Sequence, residues 1–310
     1  MLSKKLTFCS VMSIFNIRAS LSIKPPKKGM RIMSDEKESK TINISPLPSC
    51  VDDTVKEALK PAAKGIGTLL GDLLSMATNS IHFKAEKARI QQKHDLEVFK
   101  ASLTKKLEEK PENCLIEPRL QVVGQAMDSA KYCLNEEEIR KMFENLIVNA
   151  ADKRYQSQVH PSFPTIIAQM SPLDAENLAL LRSRDAYPIV SYRLITSEDG
   201  GYADGFKNFF LGNANMQSFQ DFELQAASMT SLNRLGLTEI SYSEHFSDDA
   251  VYEPFKHTLV MEEMQKIVRH QSMYKRADFQ RGLVRLTPMG KTFVRVCFCL
   301  LYTSPSPRDS

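Results

Sequence analysis

Residues 187–195, YPIVSYRLI, are where the chain changes texture. The run is rich in β-branched and aromatic residues, which fit a pleated, half-buried surface, and the Gly200-Gly201 pair after it marks a turn. It reads as a strand. The residues before it carry helical signals, and those after it alternate strands with helices. The boundary between a helical domain, residues 51–185, and an α+β domain, residues 186–298, therefore falls near Arg182 to Pro188. The expected fold class is mainly α: an N-terminal bundle of long amphipathic helices followed by an α+β module.

Upstream, the composition from Asp52 to about Ala77 is rich in Ala, Leu and Lys, with Pro61 as an early irregularity and Gly65, Gly67 and Gly71 on neighbouring turns. From Ile81 to Glu109, apolar residues recur at Ala85, Ala88, Leu96, Phe99, Leu103 and Leu107, in the three- and four-residue steps of one helical stripe. Lys110-Pro111 ends that helix. Residues 111–118, PENCLIEP, form a connector, and Gln121 to Tyr132 suits a short helix. Asn135, three residues before Glu138, predicts a capped start for a helix with Ile139, Met142, Phe143, Leu146 and Ala150 on one face. Ser171-Pro172-Leu173-Asp174 predicts another, with Ser as cap, Pro at the first helical position and an acid in the first turn.

Downstream, Asp221 to Leu235 reads as a helix stopped by Gly236, where left-handed geometry is required. Leu237 to Tyr242 alternates like a strand, a charged helical insertion spans about Ala250 to Arg276, and Gly282 to Leu286 is strand-like. Thr287-Pro288 begins a last helix through Phe293 and Val296. Helix, Leu-Gly-Leu, strand, excursion, strand, Leu-Thr-Pro-x-Gly, helix resembles the order of winged-helix modules, so the C-terminal module is expected to be winged-helix-like, a likeness of fold alone.

Residues 299–310, CLLYTSPSPRDS, resemble translated sequencing-adaptor read-through and are read as a non-native tail. Residues 1–50 are read as a disordered or artefactual extension. The first 32 hold no Asp or Glu. A secretory signal fits poorly, because the apolar run 6–17 is broken by Thr7, Ser10, Ser13 and Asn16. An organellar presequence and upstream translation ahead of a true start at Met33 are the alternatives. Residues 33–50 are polar and read as an arm. The chain counts 41 Lys and Arg against 37 Asp and Glu, a net of +4 that invites a nucleic-acid or membrane reading. Setting aside the seven cations before Met33 together with Arg308 and Asp309 leaves 33 against 36, so the excess basicity belongs to the ends. The six cysteines form no C-x-x-C, which yields neither a disulfide framework nor a zinc site; Cys114 and Cys133 suit a reducing cytosol as small apolar residues.

A further likeness is carried by separated blocks. They are Lys60-Pro61-Ala62-Ala63-Lys64 with Gly67 and Gly71; Pro111-Glu112-Asn113 with Ile116-Glu117-Pro118; Met142-Phe143-Glu144-Asn145-Leu146; His160-Pro161-Ser162-Phe163; Met170-Ser171-Pro172; and Leu286-Thr287-Pro288-Met289-Gly290. In this order and spacing, over most of Thr54 to Cys297, they resemble the abortive-infection alpha family of bacterial phage-resistance proteins. Residues 145–174 are the most telling part. The resemblance implies a role in resistance to bacteriophage and brings no active site with it. The chain departs from the pattern in its first 32 residues and in Ala150-Ala151 followed by Asp152-Lys153.

The glycine run 65–71, GIGTLLG, has the spacing of a dinucleotide-binding turn, but that turn must follow a strand and none precedes Gly65. Close helix packing through small residues is the expected role. The same segment has a small-x-x-x-small spacing suited to lipid, but Lys64 and Asp72 interrupt it and it is too short to span, which leaves peripheral membrane contact as a lesser alternative to burial. His160 tempts a general-base assignment, yet no nucleophile or carboxylate is placed beside it by sequence, so a loop-closing or capping histidine is expected. Glu136-Glu137-Glu138 and Glu262-Glu263 are read as helix starts or solvated faces. The helix ending at Arg234 has Asp221 and Glu223 against that one cation, a poor phosphate binder. Lys266, Arg269, Lys275, Arg276, Arg281 and Arg285 form a basic strip that suits nucleic acid, an acidic protein surface or solvent alike.

The expectation is a cytoplasmic, non-enzymatic phage-defence protein with no cofactor, no metal and no catalytic residues. It would work through a protein partner or peripheral membrane contact, as a sensor or effector whose C-terminal module binds and whose Gly-rich helix changes packing. The alternative is a winged-helix DNA-binding regulator of a defence locus.

Overall fold

The computed structural model describes residues 61–79, 86–212, 216 and 218–298. The readings of residues 1–50, of the first helix before Pro61 and of the tail 299–310 lie outside them. The described chain is mainly helical with a small antiparallel sheet. Helices α1 (Pro61–Asn79) and α2 (Glu86–Glu108) come first. The predicted stripe on α2 buries Phe99, Leu103 and Leu107, each worth about 1.5–3 kcal/mol relative to exposure. A short 3₁₀ turn, Glu112–Cys114, leads to α3 (Leu120–Ala130), close to the expected span.

Helix α4 (Glu137–Ala150) puts Ile139, Met142, Phe143, Leu146 and Ala150 in the core, as its periodicity predicts. Its start differs. Glu136 occupies the cap position without a side-chain cap bond, and Asn135 Nδ2 instead donates to Glu136 Oε1 at 3.2 Å. Helix α5 (Phe163–Ala168) and helix α6 (Pro172–Leu181) follow. At α6 the predicted cap forms in both directions: Ser171 Oγ accepts from the Asp174 N–H at 3.1 Å, and Asp174 Oδ2 accepts from the Ser171 N–H at 2.9 Å.

Strand β1 (Tyr187–Ile195) has the predicted bounds. It pairs with β2 (Tyr202–Asp204) on one side and β4 (Arg276–Leu286) on the other, and β3 (Thr238–Ser241) pairs with β4, giving the antiparallel order β2-β1-β4-β3. β4 begins at Arg276, well before Gly282, because β1 offers its whole length as a partner, from Tyr187 opposite Val284 to Ile195 opposite Arg276. Residues 276–280, RADFQ, do alternate polar with apolar residues, a strand signal that the reading of a helical insertion up to Arg276 passed over.

Helix α7 (Phe219–Arg234) ends at Gly236, whose φ of +73° confirms the left-handed position. The charged insertion is two pieces: a 3₁₀ segment Asp249–His257 containing Pro254, then α8 (Leu259–His270), capped by Thr258. Proline inside the first piece removes a donor and prevents one continuous helix. Thr287 caps α9 (Pro288–Cys297) as predicted. A hydrophobic core cluster runs from Ile66 and Leu70 of α1, through Leu181 and Ile189, to Phe293, Val296 and Cys297 of α9, while Tyr192, Phe209, Phe255 and Met264 are buried outside it.

Candidate functional site

Three of the resembling blocks meet at α9. The last carbonyls of a helix lack intrahelical donors, and α4 supplies them: Asn145 Nδ2 donates to the Cys297 carbonyl at 2.9 Å and Asn149 Nδ2 to the Val296 carbonyl at 2.7 Å. Phe163 packs edge-on against Phe293 with ring centroids 5.1 Å apart. At the start of α9, Thr287 Oγ1 donates to the Gly236 carbonyl at 2.6 Å and accepts from the Gly290 N–H at 2.9 Å. A Cβ on Gly290 would lie 2.0 Å from the Leu237 carbonyl oxygen, which explains glycine in Leu286-Thr287-Pro288-Met289-Gly290.

The same asparagines of α4, with Glu144 beside them, also meet polar residues on and just after α2. Ser102, Lys106 and Lys110 follow one another at the four-residue step that keeps them on one face. Ser102 Oγ donates to Glu144 Oε2 at 2.6 Å, and Lys106 Nζ donates to the same oxygen at 2.7 Å and to Asn145 Oδ1 at 2.9 Å. Lys110 Nζ donates to Asn149 Oδ1 at 3.0 Å and pairs with Asp152 Oδ2 at 3.1 Å. Asp152, which follows the Ala150-Ala151 departure, is fully buried and also holds Arg154 through a forked pair at 2.9 and 2.6 Å. Burial alone would raise its carboxyl; the side-chain and backbone hydrogen bonds from Arg154, with that from Lys110, outweigh burial and hold it below the ordinary value. Buried charge is tolerated here because it is paired and hydrogen-bonded.

This seam opens at one end into a cleft of about 340 Å³ between Val98, Ser102 and Lys106 of α2 and Arg140 and Glu144 of α4, with Phe298 at its edge. Glu144 Oε1 faces Arg140 Nε at 3.5 Å, beyond a good hydrogen bond, and that buried Nε has no hydrogen-bond partner. A second cleft of about 530 Å³ lies against α6 and α7, where Asn177 and Gln225 exchange amide hydrogen bonds at 3.3 and 2.8 Å.

The other predicted residues are dispersed. Gly67 and Gly71 lie inside α1, which begins at Pro61, and a Cβ on Gly65 or Gly71 would meet nothing within 4 Å. At Gly65 and Gly71 the expected close packing is therefore absent, while the segment is buried as expected through Ile66 and Leu70. Pro111 precedes the 3₁₀ turn, Glu117 is exposed and Pro118 buried. That connector is tied to the end of α4 by the Ile116 N–H donating to the Ala151 carbonyl. Leu146 is in the core, and Pro161 is half-buried beside His160. His160 is exposed; its Nδ1 contacts Ser162 Oγ at 2.7 Å and accepts from the Ser162 N–H at 3.2 Å, closing the loop ahead of α5.

The basic strip carries its own counter-charges. Lys266 pairs with Glu263, Arg276 with Asp278, Arg281 with Asp249, and Arg285 with Glu239 and Glu244; Arg269 and Lys275 are exposed. Gln225 and Ser228 of α7 turn inward onto Asn177 and so offer no base-reading edge. Glu137 and Glu138 pair with Lys141. Among the described residues no helix is long and apolar enough to cross a membrane, and no group of three or more His, Cys, Asp or Glu gathers as a metal site.

Sequence reasoning missed Ser102, Lys106, Lys110, Arg140 and Asn149. Their signal was present: Lys106 and Lys110 each sit three residues past a stripe leucine, and Asn145, Asn149 and Asp152 are polar at helical spacing inside an otherwise apolar run.

A family model described as abortive infection alpha matches residues 91–297. No curated protein gives a match. Among solved structures, an uncharacterized protein from the hydrocarbon-degrading marine bacterium Alcanivorax borkumensis SK2 is similar at 14% identity over 47% of this chain and 96% of that chain, with a TM-score of 0.29, too distant to inform the fold.

Proposed function

Because the chain belongs to the abortive infection alpha family, we propose that it takes part in bacterial phage defence, in the cytoplasm, by contacting other macromolecules rather than by catalysis. The family match is the observation that carries the defence role. Support for a non-catalytic mode comes from the buried end of the seam, where Lys110, Asp152 and Arg154 commit their charges to one another. A protein partner is the expected contact. Peripheral membrane contact by α1 is the lesser one, since Ile66 and Leu70 already face the core.

The test is efficiency of plating on cells carrying the gene against cells carrying empty vector. At least one phage of a broad panel should plate about tenfold or more below the control; equal counts across the panel would defeat the proposal. A winged-helix DNA-binding regulator is the second reading, favoured by the succession of α7, β3, β4 and α9 with β4 between β1 and β3. The paired state of the basic strip weighs against it. Phosphate-driven binding weakens steeply with salt, so absence of a gel shift at low salt would remove this reading.

A further inference from the structure

The cleft between α2 and α4 holds polar groups that the protein leaves unsatisfied, and a ligand can be specified from them. Lys106 spends two of its three N–H groups on Glu144 and Asn145, and the third remains on a side chain that lines the cleft. Arg140 uses Nη1 on the Leu134 carbonyl at 3.1 Å and its Nε is closed to solvent, which leaves the Nη2 N–H groups of a side chain that lines the cleft. Glu144 is the opposite case. Its Oε2 is saturated by Ser102 and Lys106, and its Oε1 has only the 3.5 Å contact with Arg140. Lys141 at the rim is occupied by the exposed Glu137 and Glu138. Within the cleft two cations thus face one carboxylate.

The unspent donors outnumber the unspent acceptor, and the excess charge is positive. A ligand must therefore bring an oxyanion with several oxygens for Lys106 and Arg140, together with one hydroxyl to donate to Glu144 Oε1. A guanidinium beside an ammonium suits phosphate, which has three terminal oxygens where a carboxylate has two. A volume of about 340 Å³ exceeds what an inorganic ion needs and lies at the lower end of small-molecule pockets. Val98 and Phe298 give the remaining wall an apolar surface. We infer that this cleft binds a phosphate monoester of a hydroxylated body, the sugar phosphate class, with phosphate on Lys106 and Arg140 and a sugar hydroxyl on Glu144. The inference rests on the cleft alone and is independent of the defence role.

Isothermal titration of the purified full chain at pH 7.5, in buffer free of phosphate and sulfate, tests it with four probes: ribose 5-phosphate, adenosine monophosphate, inorganic phosphate and ribose. Ribose 5-phosphate should bind about tenfold or more tightly than inorganic phosphate or ribose, a difference of about 1.4 kcal/mol. Adenosine monophosphate binding more tightly still assigns a nucleotide, and the reverse assigns a free sugar phosphate; both support the inference. Arg140→Gln should weaken binding about tenfold. Because that change also removes the Leu134 bond, Val98→Trp serves as a second variant: Val98 lines the cleft and is 36% exposed, so the larger ring occupies cleft volume without removing a polar group and should abolish binding while the circular dichroism spectrum is unchanged. Absence of saturable heat from both phosphate esters, or wild-type affinity in both variants, would overturn the inference.

Discussion

Asp152→Asn keeps the shape of a buried side chain and removes its charge. The partner it leaves behind decides the outcome. Lys110 is 6% exposed, pairs with Asp152 at 3.1 Å and lies over the Tyr155 ring. At that separation two unit charges attract by about 5 kcal/mol at an effective dielectric of about 20, a gross figure that the desolvation of both groups offsets. What the substitution exposes is the stranded ammonium, for which a loss of about 3–5 kcal/mol is expected. Arg154 is about a third exposed and can turn to water, so its lost pair adds little. In a core of this size each kcal/mol moves the melting midpoint by about 2–4 °C, so thermal unfolding followed by circular dichroism should show a fall of roughly 6 °C or more. Adding Lys110→Met removes the stranded charge and should recover more than half of the loss. The effect depends on pH with a definite sign. The folded carboxyl lies below its unfolded value near 3.9, so its contribution is present above that value and is lost as pH falls through the folded one. The gap between wild type and variant should therefore narrow as pH is lowered from 7 toward 3. A loss under about 1 kcal/mol at pH 7, or a gap that does not change with pH, would refute the reasoning.

Two glycines near the α7 end give contrasting expectations. Gly290→Ala places a methyl 2.0 Å from the Leu237 carbonyl and should cost several kcal/mol in urea unfolding, on the order of 4 or more. Gly236→Ala meets open space and bears only the cost of φ +73°, about 1–2 kcal/mol. Gly71→Ala lies within α1 with no atom within 4 Å of the new methyl, so it should stabilise by about 0.5–1 kcal/mol through helix propensity, where a close-packing role would require a loss. His160→Ala should leave phage plating and stability nearly unchanged, since the ring is exposed and bonds only within its own loop; loss of defence with an intact fold would instead support a hydrolytic role.

The parts of the fold that were legible in the sequence are those fixed by local chemistry. The Ser171 cap, the β-branched run of β1, the left-handed stop at Gly236 and the Thr287-Pro288 helix start each need only their immediate neighbours. Where the deciding partner lies far along the chain, reading failed. β4 extends to Arg276 because β1 pairs with it. The pairings of the seam could not be read for the same reason: Lys106 on α2 reads as a solvated lysine until Glu144, 38 residues on, is folded against it. Gly71 was misread in the other direction, since spacing alone does not say whether another helix approaches.

Several of the residues that carry the family resemblance fall where packing or backbone geometry leaves little choice. Gly290 admits no side chain, Phe163 fills the space beside Phe293, Ser171 satisfies the start of α6, and Asn145 satisfies the end of α9. Such residues transmit architecture, and a likeness built on them carries a fold more firmly than a chemistry. Groups that packing does not require behave differently. Val98 lines the cleft and is 36% exposed, so enlarging it there removes no polar partner from the seam. Gly290→Ala should therefore lower defence and melting temperature together, because the folded population itself falls. Val98→Trp should leave the midpoint within about 2 °C and lower defence only if occupancy of the cleft matters to it. Full defence with no ligand bound would separate the cleft from the family's role; loss of defence at unchanged stability would join them.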